Sequence, residues 1–174
     1  MAADQKYSLA VLNALERADF VRVVGPVFEH SPWIADAAWP QRPFTSLENL
    51  HRLLCDLVKN SGEARQLALI QAHPDLVGRA ALAGTLTPES TGEQASAGLN
   101  HLTPEEIASF QKQNAAYQAA FGFPFVICAR LNKKDAILAG FERRLENPRP
   151  LELKTALEEI FKIVELRLRD LIVL

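Results

Sequence analysis

Apolar residues recur along this chain mainly at spacings of three and four, the period of a helix with one face turned inward. Residues 46–59 read SLENLHRLLCDLVK, with Leu47, Leu50, Leu53, Leu54, Leu57 and Val58 on one stripe. That pattern predicts an amphipathic helix. Thr45 and Glu48 stand at capping-box spacing at its start. A second start signal is Thr103-Pro104-Glu105-Glu106, with Thr103 as cap, Pro104 in the first helical position and Glu106 completing the box. This helix runs through FQKQNAAYQAAF and stops at Gly122, ahead of Pro124.

Asn132 is placed to cap a helix through Ala139 and Phe141 to Leu145, and Asn147-Pro148-Arg149-Pro150 then breaks the chain. A last helix is predicted from about Leu151 to Leu174, its stripe including Leu157, Ile160, Phe161, Val164, Leu168 and Leu171. Shorter helices are predicted over residues 19–28, 31–38, 63–71 and 89–95. Only FPFVICA, residues 123–129, departs from this pattern, and it reads as a buried extended segment or the start of a helix. It has no second strand to join, and Pro124 weakens a strand reading. The expected fold class is all-α: a single-domain bundle of about eight helices over residues 1–174, without repeats or low-complexity segments.

Length and composition agree with this picture. A chain of 174 residues that is 48% apolar buries a core without staples. With 19 basic and 21 acidic residues its net charge is −2, which offers nothing to nucleic acid or an anionic membrane. No run approaches the ~18 apolar residues of a membrane span. The N-terminal MAADQKYSLAVLNALERADF lacks the basic-then-apolar order of a leader, and the terminal LIVL is not a peroxisomal signal. Cys55 and Cys128 both sit in apolar sequence and read as buried thiols of a reducing compartment. The expected location is the cytoplasm.

Three segments carry chemistry that packing alone explains poorly. In Gln71-Ala72-His73-Pro74-Asp75-Leu76-Val77-Gly78, the proline disfavours helix at His73, so the imidazole stands at a helix end, free to face a cleft. Imidazole suits proton transfer near neutral pH. The structural alternative is that His73 or Asp75 only satisfies nearby backbone. The second segment, Pro88-Glu89-Ser90-Thr91-Gly92-Glu93-Gln94, gathers hydroxyls, a carboxylate and an amide within about one helical turn. Its alternative is a capping box of Ser90 with Glu93. In the last helix, Arg167 lies close to the apolar stripe and suits a forked clamp on an anion or carbonyl, or else is simply solvated. Arg169 reads as an i, i+4 partner of Glu165. His30, beside Glu29, is a weaker candidate. His51 and Cys55 alone make no metal site, and His101 belongs on the surface. No nucleotide, metal or serine-hydrolase motif occurs.

Taken together, FEHSPWIADAAW at 28–39, AHPDLVGRAAL at 72–82, SxxEQ at 90–94, Leu99 to Glu106, FGFPFVICAR at 121–130 and EIFKIVELRLRDL at 159–171 resemble the 2-oxo-4-hydroxy-4-carboxy-5-ureidoimidazoline (OHCU) decarboxylase family. The resemblance covers nearly the whole chain. It implies an all-helical homodimer that works without metal or organic cofactor. It also implies conversion of OHCU, formed from urate by oxidation and hydrolysis, into (S)-allantoin and carbon dioxide. The family's catalytic histidine matches His73, with Glu93 and Arg167 beside it in the reaction. Substrate contacts fall on Pro74, on Ser90, Thr91, Gly92, Glu93 and Gln94, and on the backbone of Phe125, Val126, Ile127, Cys128 and Ala129. Animal members often end in a peroxisomal signal that this sequence lacks, which points to a bacterial protein.

Two other readings make different predictions. A helical interaction module would turn the polar cluster to solvent and hold no small-molecule pocket. A metal-dependent hydrolase built on His73, Asp75 and Glu93 would lose activity with a chelator, although no further histidine stands at ligand spacing.

Overall fold

The computed structural model describes residues 6–173, so the first residues of the leader reading and the last residue of LIVL lie outside it. The fold is all-α, with ten α-helices and no strand among the described residues. Contacts gather into two compact units. One holds the residues up to Ala72 and those from Phe161 onward, and the other spans His73–Ile160.

The first unit contains α1 (Leu9–Ala14), α2 (Arg17–Val24), α3 (Trp33–Ala38), α4 (Leu47–Lys59) and α5 (Glu63–Gln71). Helix α4 buries Leu47, Leu50, Leu54 and Val58 of its predicted stripe, together with Cys55. Its cap is Ser46, whose hydroxyl accepts from the Asn49 amide, rather than the expected Thr45. Ser46 has the extended backbone a cap needs, and serine outranks threonine there. Helix α1 was not legible as an element, because only Leu12 of its six residues is buried.

The second unit contains α6 (Arg79–Leu82), α7 (Pro88–Ser96), α8 (Pro104–Phe121) and α9 (Lys134–Leu145). Helix α10 (Arg149–Leu171) belongs to this unit up to Ile160 and to the first from Phe161. The expected box closes on α8: Thr103 and Glu106 each cap the other's backbone. Gly122 ends it in the left-handed region at φ 78, where a Cβ would be strained. At α9 the cap is Lys133, not Asn132. The Asn132 amide instead donates to the Cys128 carbonyl at 3.0 Å, so it is spent on the segment before the helix. That segment lies outside any helix or strand over residues 123–128 and runs into a 3-10 turn at Ala129–Leu131, so the last residue of the expected 123–129 stretch starts a helical turn. The last helix begins at Arg149, two residues early, with Pro150 inside its first turn.

Candidate active site

His73 follows α5 directly and is 8% exposed, so the proline-enforced helix end places the imidazole inside the protein. The chain then makes a tight turn through Asp75, Leu76, Val77 and Gly78. The Gly78 amide bonds the Asp75 carbonyl at 3.2 Å. Val77 sits at φ 52, a left-handed conformation that costs a β-branched residue on the order of 1–3 kcal/mol. A Cβ at Gly78 would stand 2.6 Å from the Asp75 Cβ, so only glycine fits there.

Side chains from two helices hold this turn. The Val77 amide donates to Gln94 Oε1 at 3.1 Å, and the Asn114 amide donates to the Leu76 carbonyl at 2.8 Å. Gln118 Nε2 reaches Asp75 Oδ1 at 3.4 Å. Asp75 is half-buried, and loss of solvent raises its carboxyl pKa above the ordinary value, against a smaller opposing effect of the Gln118 bond. Sequence reasoning missed Asn114. Its one signal is an amide on the helix face that buries Phe110, Tyr117 and Phe121.

Helix α7 supplies the second motif. Its cap is Thr87, whose hydroxyl accepts from the Ser90 amide at 3.2 Å. The cap of α7 is therefore Thr87 rather than Ser90, and Ser90 and Glu93 stand inside the helix. Ser90 and Gln94, four residues apart, are the two buried positions of α7. Glu93 is partly buried, whereas Thr91 and Gly92 are exposed, and the Thr91 hydroxyl bonds the Thr87 carbonyl. Helix α7 also packs on the short turn Ala129–Leu131. The unit thus brings together the turn after His73, the Ser90–Gln94 face and the end of the 125–129 segment.

That segment has no sheet to satisfy its peptide groups, so side chains do so. Arg144 Nη1 donates to the Val126 carbonyl at 2.7 Å, and the Cys128 amide donates to Glu159 Oε2 at 2.8 Å. The Ile127 peptide groups carry neither bond. Phe125 stacks on Phe141 at 3.8 Å, and Arg144 lies 4.4 Å from the Phe125 ring centre. Arg144 pairs with Glu152 at 2.8 Å; the two are 4% and 0% exposed. Tyr117 completes the cluster through hydrogen bonds with Glu152 and Arg144. Burial pushes the Tyr117 phenol well above its ordinary range. Nothing in the sequence marked Arg144 or Glu152, which stand on either side of a proline break.

The remaining candidates lie in the first unit. Arg167 is 6% exposed and pairs with buried Glu29 at 3.0 Å, while also donating to the Pro26 carbonyl. It is not solvated, and it is Glu29 rather than exposed His30 that the FEHSPW motif contributes. Arg169 pairs with Glu165 as expected. His51 bonds the Phe161 carbonyl at 2.9 Å and Cys55 at 3.4 Å. Burial drives the Cys55 thiol up to about 12. Among the described residues, no three His, Cys, Asp or Glu side chains converge as metal ligands would. No described helix is long and apolar enough to cross a membrane.

Comparison with known proteins agrees with the resemblance. Residues 13–169 match the model of the family described as OHCU decarboxylase. A 2-oxo-4-hydroxy-4-carboxy-5-ureidoimidazoline decarboxylase of Amia calva is 42% identical over 161 residues, covering 92% of this chain and 92% of its own. A crystal structure of (S)-allantoin synthase matches with a TM-score of 0.76 at 26% identity, over 95% of this chain. This chain spans about half, 54%, of that synthase. A crystal structure of OHCU decarboxylase in the presence of (S)-allantoin matches with a TM-score of 0.64 at 26% identity, over 78% of this chain and 87% of its own.

Proposed function

The chain belongs to the OHCU decarboxylase family, and we propose that its reaction runs on His73, supported by Glu93 and Arg167. The activity is decarboxylation of OHCU to (S)-allantoin in urate degradation, and the enzyme is a carboxy-lyase.

When the C–CO₂ bond breaks, its electron pair needs an acceptor. The substrate's own ring imine and carbonyl groups take it, in the place that pyridoxal phosphate or thiamine fills elsewhere. The protein then has three tasks: to hold the breaking bond across the ring plane, to stabilise charge on the ring, and to return a proton to one face. His73 bonds the substrate's hydroxyl or carboxylate and donates the proton. Glu93 holds ring or ureido N–H groups. Ser90, Gln94 and the backbone of residues 125–129 read the remaining amide edges, with Pro74 shaping the wall. Gln94 has its carbonyl oxygen engaged by the Val77 amide and one N–H directed to the Asp75 carbonyl at 3.5 Å, which leaves its second N–H for the substrate. Arg167 neutralises developing oxyanion charge. Delivery from one face gives one enantiomer.

The observation that carries this reading is the buried His73, set beside a strained turn that Gln94 of the SxxEQ motif helps to hold. The test generates OHCU in place from urate with urate oxidase and hydroxyisourate hydrolase, and follows (S)-allantoin by circular dichroism. His73→Ala should lower kcat by ~10²–10⁴, roughly 3–5 kcal/mol. A chelator should have no effect. Wild-type turnover by His73→Ala would refute the role, and loss with chelator would favour the metal-dependent reading.

The proposal extends to organisation. The family match spans both compact units, which supports residues 1–174 acting as one domain with a single unfolding transition. The resemblance supports a homodimer, checked by sedimentation. Cys55 and Cys128 are buried and form no disulfide, which suits a reducing cytoplasm. A net charge of −2 offers no hold on nucleic acid.

A further inference from the structure

We infer that Arg144 is a positioning residue for substrate recognition: it fixes the main chain of residues 125–128 in the form that reads the substrate. This rests on the reading above, in which that segment binds the substrate.

An irregular segment has no ladder to set its peptide planes. Here one guanidinium does much of that work. Arg144 Nη1 bonds the Val126 carbonyl at 2.7 Å, Nε bonds Glu152 Oε2 at 2.8 Å, and Nη2 bonds the Tyr117 hydroxyl at 3.2 Å. Its plane also covers the Phe125 ring. Asn147 in turn holds Glu152 Oε1 at 2.7 Å. At the far end, Glu159 and Asn132 take the Cys128 amide and carbonyl. The segment is thus anchored at Val126 and at Cys128, with the Ile127 peptides between the two anchors.

Stability alone does not ask for this arrangement. A buried ion pair is commonly no better for stability than apolar residues of the same volume. What apolar residues cannot do is direct a carbonyl. A fork with three occupied nitrogens does so, and a lysine, with one nitrogen, does not reproduce it.

The test compares wild type with Arg144→Lys and Glu152→Gln. Readouts are KM and kcat with OHCU, the Kd of (S)-allantoin by calorimetry, and Tm. Amide NMR of the wild type on adding (S)-allantoin reports whether residues 125–129 meet ligand at all. The expected result for Arg144→Lys is a rise in KM and in Kd of about tenfold, the size of one lost hydrogen bond, with kcat little changed. Glu152→Gln keeps one acceptor oxygen for Arg144 Nε and the Tyr117 hydroxyl, removes the charge and puts an NH₂ on the Asn147 side, and should show a smaller rise of the same kind. It decides the matter if Arg144→Lys does not fold. Unchanged KM and Kd in folded variants with lowered Tm would overturn the inference, as would a collapse of kcat at constant KM. Absence of amide shifts at 125–129 in the wild type would instead overturn the reading on which it rests.

Discussion

Two irregular segments of the same unit, the turn at residues 73–78 and the strand-like run at 123–128, meet one problem in different ways. Neither has regular backbone pairing, so side chains must satisfy their peptide groups. The turn is held by neutral amides: Gln94 bonds the Val77 amide and the Asp75 carbonyl, and Asn114 bonds the Leu76 carbonyl. The run is held by charged groups, Arg144 and Glu159, and by stacked aromatic rings. The turn carries backbone strain at Val77 and one carboxylate, Asp75, which accepts from the Gln118 amide. The run has its arginine charge matched by Glu152. Amide supports contribute modestly and fail gently, whereas a buried ion loses much when its partner goes. The acid-bearing turn should therefore tolerate small changes in its supports, and the run should not.

The largest expected effect is at Glu152. Glu152→Ala strands Arg144, which is 4% exposed, without its counter-ion. Stability should fall by about 3–5 kcal/mol, read from the urea midpoint at constant m. A loss of under ~1 kcal/mol would show that the rings alone hold the run and would remove the contrast between the two segments.

Next is Gly78→Ala. The new methyl must move the Asp75 Cβ, 2.6 Å away, or the turn itself. Overpacking of this kind costs about 1–3 kcal/mol. Because the turn follows His73, kcat per folded molecule should fall as well. A stability loss with unchanged kcat would mean that the turn is a structural corner with no bearing on the histidine.

The sequence made the helices legible because their signals are local. Thr103, Pro104, Glu106 and Gly122 mark α8 within one short stretch, and the structure uses all four. Local signals also misled where two candidates competed. Ser46 took the cap that Thr45 was expected to fill, and Asn132 was drawn away by the Cys128 carbonyl. The site was legible in part for the same reason. A histidine before a proline must end a helix, and Ser90 and Gln94 share a helical face. The supports were not legible. Asn114 finds Leu76 across 38 positions, and Arg144 finds Val126 across 18. Such pairs depend on how helices meet, which no local spacing encodes. The ion pair of Arg167 with Glu29, 138 positions apart, was hidden in the same way.

The smallest effect separates the segments by charge. Loss of solvent is the main cause that raises the Asp75 carboxyl pKa above its ordinary value of 3.8 in the folded protein. The folded state then binds that proton more tightly than the unfolded chain does. Stability must fall as pH rises from the ordinary value through the raised one, and the penalty is full at neutral pH. Asp75→Asn keeps an oxygen for Gln118 and removes the ionisation. Its Tm should exceed that of wild type at pH 7, and the gain should shrink on acidification and vanish below the ordinary carboxylate range. A variant less stable than wild type at pH 7 would mean that Asp75 serves a cation. The turn, like the run, would then be held by ionic pairing, and the difference between the two segments would reduce to backbone strain.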